Sequence, residues 1–276
     1  MRLGYNTNGF AFHRWQDTLE ILAEIGYRSV ALTVDQFLLN PYVETFGKEV
    51  DEVRRELDRL DMSCVIETGA RFLLDSRRKH EPTLVSPDES GRYTRLEFLR
   101  RCVDLAAELN ADAVSFWAGT VQAGVDRGVA TQWLTDGCRK LVDMAENRQI
   151  RLAFEPEPGM LIETMEQYAE LSESIDSERF GLTVDIGHLQ CVEDEPIPSH
   201  LRRWSSQMFN IHIEDMCHGV HEHLRFGEGE IDFDGVMSTL TEIRYTGGVH
   251  VELSRPSHMA PQVAAESYHF LLDRMG

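Results

Sequence analysis

The sequence predicts an α/β protein of one domain, residues 1–276, folded as a (β/α)8 TIM barrel. Three observations point there. Strand-like and helix-like segments alternate along the whole chain. Its 276 residues match the ~250 typical of such a barrel. Four apolar segments in the second half each end in a carboxylate or a histidine: Leu152–Glu155, Leu182–Asp185, Phe209–His212 and Val249–Glu252. They recur every ~30 to 40 residues, the length of one strand–helix unit.

The elements read in order as follows. Arg2–Asn6 is a first strand, and Trp15–Ile25 a helix with Leu19, Leu22 and Ala23 at helical spacing. Ser29–Val34 is the second strand. Phe46–Leu60 follows as a helix with an apolar stripe of Val50, Val53, Leu57 and Leu60. Met62–Glu67 is the third strand. A long loop, Thr68–Arg92, comes next, broken by Pro82, Pro87 and Gly91; loops this long in compact domains are usually functional, so a lid or a dimer arm is expected here. The helix Tyr93–Leu109, the strand Ala113–Trp117 and the helix Val129–Asn147 follow. Arg151–Glu155 is strand five, with a helix near Leu161–Ser172. Arg179–Asp185 is strand six, with its next helix only past Pro198, around Ser199–Trp204. Met208–Ile213 is strand seven and Ile231–Ile243 its helix, with Asp232 and Asp234 at the positive end. Gly248–Glu252 and Pro261–Met275 close the barrel.

Composition narrows the class. At 42% hydrophobic the chain can bury a large core without disulfides or structural metals. Its five cysteines are odd in number and lack CxxC spacing, which fits free thiols in a reducing compartment. No apolar stretch approaches ~20 residues and the N-terminus lacks a signal-peptide core, so a cytoplasmic protein without membrane partners is expected. The formal charge of −20 argues against nucleic acid as a partner and otherwise serves solubility.

A parallel barrel gathers its strand ends at one mouth. Glu155, Asp185, His212 and Glu252 would then meet at one point. Three carboxylates cannot share a point as free anions, so a divalent cation is their natural companion. Three oxygens and one nitrogen favour Mn2+, Mg2+ or Co2+, with Zn2+ as a further option. Each residue has a plainer reading. Glu155 before Pro156 could be a surface turn residue, as could Glu157. Asp185 could cap a helix, His212 could be a packed core histidine, and Glu252 could pair with Arg255. Strand alternation puts Asn210, His212 and Glu214 on one face.

Other residues should shape the pocket. Asn6 and Asn8 follow the first strand. Trp117, Phe10, Phe12 and His13 could cover the apolar face of a sugar, though the aromatics are equally suited to ordinary core. Glu67 ends the third strand, and Arg71 could hold an anion bidentately. The run Arg77, Arg78, Lys79, His80 reads first as a solvated face and second as an anion clamp.

These motifs resemble the xylose isomerase-like barrel superfamily, in particular its sugar phosphate isomerase/epimerase and ketose 3-epimerase branch. The resemblance spans essentially the whole chain. It rests on Phe-Glu-Pro at Glu155, Asp-Ile-Gly-His from Asp185 to His188, Ile-His-Ile-Glu-Asp at His212, Val-Glu-Leu at Glu252 and the Gly-x-Gly stretch Phe226–Asp232. It implies one divalent metal, Mn2+ foremost, on Glu155, Asp185, His212 and Glu252, with the two glutamates as acid and base. It also implies substrate contacts from His188 and from a basic residue before the Gly-x-Gly loop, Arg225 or its competitor His223. A homo-oligomer, dimer or tetramer, is implied as well. Endonuclease IV shares the ancestry. The extra histidines that it carries after strands three and four are missing here, and His221 and His223 match its third-metal ligands only incompletely.

The expected chemistry is proton abstraction beside a carbonyl, through a metal-stabilised enediolate. Return of the proton to the other face gives epimerisation, return to the neighbouring carbon gives isomerisation, and loss of a β-hydroxyl gives dehydration. A lyase or deglycosidase acting on a sugar-derived metabolite, or a barrel that only binds one, stays open at this point.

Overall fold

The computed structural model describes residues 1–275. Among them, eight parallel strands close a barrel: β1 (Arg2–Asn6), β2 (Ser29–Thr33), β3 (Ser63–Glu67), β4 (Val114–Phe116), β5 (Leu152–Phe154), β6 (Phe180–Asp185), β7 (Met208–Ile213) and, last in the chain, β10 (Gly248–Val251). Sequence neighbours pair all round, and β10 closes on β1. Helices α1 (Trp15–Ile25), α2 (Phe46–Leu60), α3 (Glu89–Leu109), α4 (Arg127–Arg148), α5 (Met165–Ile175), α6 (Ile186–Val192), α7 (Ile197–Trp204), α8 (Phe233–Glu242) and α9 (Ala260–Leu272) lie outside. The expected (β/α)8 TIM barrel is therefore the observed fold. None of these helices is long and apolar enough to cross a membrane.

Local chemistry sets the helix ends. Asp88, Asp126, Thr164 and Asp232 each accept a backbone N–H of the following first turn, at α3, α4, α5 and α8. Asp61, Asn110, Gln149 and Asp176 end helices in the left-handed conformation. The Asp88 cap starts α3 four residues before the expected Tyr93, which shortens the long loop to residues 68–88.

One further expectation is corrected, and one element is added. The helix after β6 begins at once, at Ile186, because the Asp185 carboxylate accepts the His188 N–H at 2.8 Å. The stretch before the Gly-x-Gly loop is not a plain connection but an antiparallel hairpin, β8 (Asp215–Cys217) with β9 (Val220–Leu224). Asp215 ties that hairpin to the loop. Its carboxylate accepts the N–H groups of Met216, Gly227, Gly229 and Ile231.

The barrel interior carries a polar layer where branched apolar residues are usual. His250 lies 2.7 Å from Asn210 Oδ1 and 2.9 Å from Ser29 Oγ. A Cβ at Gly4 or Gly248 would collide with the His250 ring, so the two glycines make room for it. Asn210 Nδ2 reaches Glu67 at 3.2 Å and Thr183 at 3.4 Å, which links this layer to the mouth above.

Candidate functional site

Four strand ends build the site. In the β6–β7 ladder Asp185 is level with His212. Glu155 and Glu252 lie one residue past β5 and β10, and each is still held by a ladder bond: Glu155 N–H to Phe116 O at 2.9 Å, Glu252 N–H to Ile213 O at 3.2 Å. The four side chains therefore rise from rigid backbone. Donor atoms of Glu155, Asp185, His212 and Glu252 all lie within 4.8 Å of one another.

His212 is the hub. Its Nδ1 lies 3.0 Å from Glu155 Oε1, 2.9 Å from Glu252 Oε2 and 3.9 Å from Asp185 Oδ2. One N–H serves one acceptor well, not two at this range. Asp185 Oδ2 is buried with no hydrogen-bond partner. Such a carboxylate is costly unless a cation sits beside it. These residues fit a divalent ion. On the other side of the ring, His212 Nε2 lies 2.9 Å from Glu67 Oε1, the arrangement that orients a ligating histidine. Asn8 Nδ2 donates to Glu252 Oε1 at 2.7 Å and fixes the second glutamate.

The electrostatics follow from crowding. Burial, reinforced by Glu252 and Asp185 against the pull of His212, pushes the Glu155 carboxyl up to about 7. Burial also acts on Glu252, but His212, His223 and His188 outweigh it and hold Glu252 well below the usual carboxylate range. Burial would depress His212, yet Glu67, Glu155 and Glu252 raise it well above an ordinary imidazole. Two carboxylates that face one nitrogen thus differ sharply in proton affinity.

The site opens into a cavity of about 300 Å3 at the barrel mouth. Asn6, Glu67, Arg71, Trp117, His188 and His223 all line it, as the sequence suggested. Arg71 is held by Asp35 at 2.6 Å. His188 Nδ1 faces Pro156 O at 3.1 Å, and His223 Nδ1 faces Glu252 O at 3.3 Å. Lys79 and His80 reach the wall, but Arg78 pairs with Asp75, and Arg77, also exposed, is not among the lining residues. The basic run is therefore mostly a solvated face.

Arg225 is a correction. It pairs with Glu266 outside the cavity, because the hairpin carries His221 and His223 inward and leaves Arg225 beyond its end. Arg255 lines the cavity instead and pairs with Glu222 rather than Glu252. Phe10 is core against Tyr5, Phe12 is exposed, and His13 lies outside this cavity, so none of the three lines it. Glu157 is not a simple surface residue. It lines the cavity, and burial together with Glu155 and Glu252 raises it well above the ordinary carboxylate range. Its signal was the Glu-Pro-Glu spacing, three residues past the strand end.

Comparison with known proteins agrees with this fold. The family described as xylose isomerase-like TIM barrel matches residues 19–274. L-ribulose-5-phosphate 3-epimerase UlaE of Shigella flexneri serotype 5b (strain 8401) is 27% identical over 229 residues, 79% of each chain. Among solved structures, D-psicose 3-epimerase with D-tagatose from Clostridium cellulolyticum H10 superposes with a TM-score of 0.80 at 15% identity, covering 100% of this chain and 99% of that one. An IOLI protein with a binding zinc atom gives 0.78 at 19% identity, with 100% and 99% covered.

Proposed function

Because this chain belongs to the xylose isomerase-like TIM barrel family, we propose that it is a divalent-metal-dependent epimerase or isomerase of keto sugars, the class in which its epimerase relatives are named. The observation that carries the reading is the pair Glu155 and Glu252, at 3.0 and 2.9 Å from the same His212 nitrogen. The two come from different strands and approach one point from two sides. That suits removal of a proton from one face of a carbon and delivery to the other.

Glu155, Asp185, His212 and Glu252 would hold the ion, Mn2+ foremost, with Mg2+, Co2+ and Zn2+ as alternatives. When bound, it supplies Lewis-acid polarisation of the carbonyl and its neighbouring hydroxyl, which acidifies the α-hydrogen. The chain does the rest. One glutamate accepts the α-proton and the other, protonated, returns a proton. Asn8 keeps Glu252 in place, and Trp117 offers an apolar wall. Lys79 lines the mouth beside Arg71 and Arg255, which stand there as ion pairs with Asp35 and Glu222, and these donors suit a phosphorylated ketose.

The test is exchange of the substrate α-hydrogen with D2O, followed by NMR. Glu155→Gln and Glu252→Gln should each slow it by about 10²- to 10⁴-fold. Exchange at the wild-type rate in either variant would remove that residue from the proton transfer.

A further inference from the structure

The face of the barrel opposite the mouth holds a second open cavity, of about 450 Å3. That size suits a small molecule. Arg2 opens β1, Met208 opens β7, Arg151 stands just before β5 and Gly247 just before β10, and all four line it. Arg151 and Glu155 bracket the same strand, so the cavity lies roughly 13 Å along the chain from the glutamate of the first site.

The lining is cationic, although the chain is acidic. The whole chain carries 27 lysines and arginines against 47 carboxylate residues. In this cavity Arg2, Arg151 and Arg244 meet a single acid, Asp112. Asp112 is already engaged, with Oδ2 at 2.6 Å from Arg2 Nη2. Among the described residues Arg151 and Arg244 form no ion pair. Arg2 Nε is buried without a hydrogen-bond partner. The Arg151 guanidinium carbon lies 5.1 Å from the centre of the Phe209 ring, which steadies the fork from one side. Ser205 and Ser206, exposed in the turn before β7, add two hydroxyls to the same wall. A neighbouring cavity of about 390 Å3 shares Arg2, but there Asp58 and Asp61 match Arg2 and Arg28, and the charges balance.

Single arginines on a surface need only water. Two guanidinium forks without carboxylates, gathered in one hollow beside hydroxyl donors, form a different arrangement. Such forks donate in pairs to phosphate oxygens, and the hydroxyls can serve the remaining one. Three arginines less one aspartate leave two positive charges on the wall. A phosphate monoester near pH 7 carries about −1.5 to −2, which complements them. We propose that this cavity is a second binding site, specific for a phosphate group with a small carbon skeleton attached, on the face away from the reaction. Arg151 and Arg244 are its principal donors, with Ser205 and Ser206 beside them.

Calorimetric titration of the full chain with inorganic phosphate, in about 0.15 M chloride, tests this. Arg151→Gln and Arg244→Asn replace exposed side chains and leave the core intact, and Asn suits the left-handed backbone at Arg244. Each should weaken phosphate binding about tenfold or more, the worth of a charge-assisted hydrogen bond. Arg71→Ala, at the mouth, should leave this binding in place. Wild-type affinity in both Arg151→Gln and Arg244→Asn would overturn the second site. Absence of phosphate binding to the wild type would overturn it too, leaving only a diffuse counter-ion cloud around the three arginines. Binding lost in Arg71→Ala and kept in the other two variants would place the phosphate at the mouth and end the proposal.

Discussion

Glu67 shows how much one residue can do without touching a reacting atom. Its carboxylate lies 2.9 Å from His212 Nε2 and accepts from Asn210 Nδ2, so it fixes which way the imidazole faces and biases its tautomer. Glu67→Gln keeps the shape and removes the charge. Affinity for the divalent ion should fall about 10- to 100-fold, read by competition with a chelator, while the fold is kept. Unchanged affinity would show that Asn210 and the barrel wall orient His212 unaided. At this scale the sequence was legible where a side chain ends a strand. Glu155, Asp185, His212 and Glu252 declare themselves because apolar runs stop at them. Glu214 could be placed on the face of His212 by alternation, but its contact with His223, at 3.7 Å, depends on the hairpin that carries His223. Glu157 was obscured because two prolines reverse the chain around it, and only the closed barrel shows which way it turns.

The elements divide the work between strand ends and the segments that follow them. The 68–88 excursion after β3 carries Arg71, Lys79 and His80 to the cavity wall, with the His80 ring edge-on to Trp117 at 5.5 Å. If Arg71 and Lys79, the two cations of this stretch, read a phosphate, Arg71→Ala and Lys79→Ala should each raise KM for a phosphorylated ketose about tenfold, the worth of one charge-assisted hydrogen bond. KM for the neutral sugar should barely move, and steady-state kinetics on the pair would show it. An equal rise for both sugars would assign the two residues to shaping the loop. Periodicity made the eight strand–helix units readable because barrel strands are short, apolar and punctuated. It did not reveal the β8–β9 hairpin. Val-His-Glu-His-Leu has no apolar face, and its pairing depends on a turn at Gly219 and on the Asp215 tie. The misplacement of Arg225 followed directly from that omission. The immediate start of α6 was likewise hidden, because Asp185 serves as cap and ligand candidate at once and either role alone would explain it.

The whole molecule balances a polar barrel interior against acid. Burial holds His250 near 3, well under a free imidazole, as it hydrogen bonds inside the barrel with Asn210 and Ser29. The unfolded chain takes up that proton near pH 6.5, whereas the folded chain does so only near 3. Between these values the unfolded state binds more protons, so the contribution to stability is present above about pH 6.5 and is lost as pH falls. The slope is about 1.4 kcal/mol per pH unit for one such group. In denaturant titrations from pH 7 to 5, the wild type should therefore lose its advantage over His250→Gln as the buffer is acidified. A gap independent of pH would mean that His250 matters for packing alone. The excursion at 68–88 has a separate consequence, which concerns descent rather than stability. Glu155 and Glu252, the proposed proton carriers, stand at strand ends that the barrel cannot alter without opening, whereas the cations near the rim stand on chain that leaves the barrel and returns. Mutations can accumulate in that excursion while the reaction persists. A lineage built this way can change its diet without relearning its chemistry.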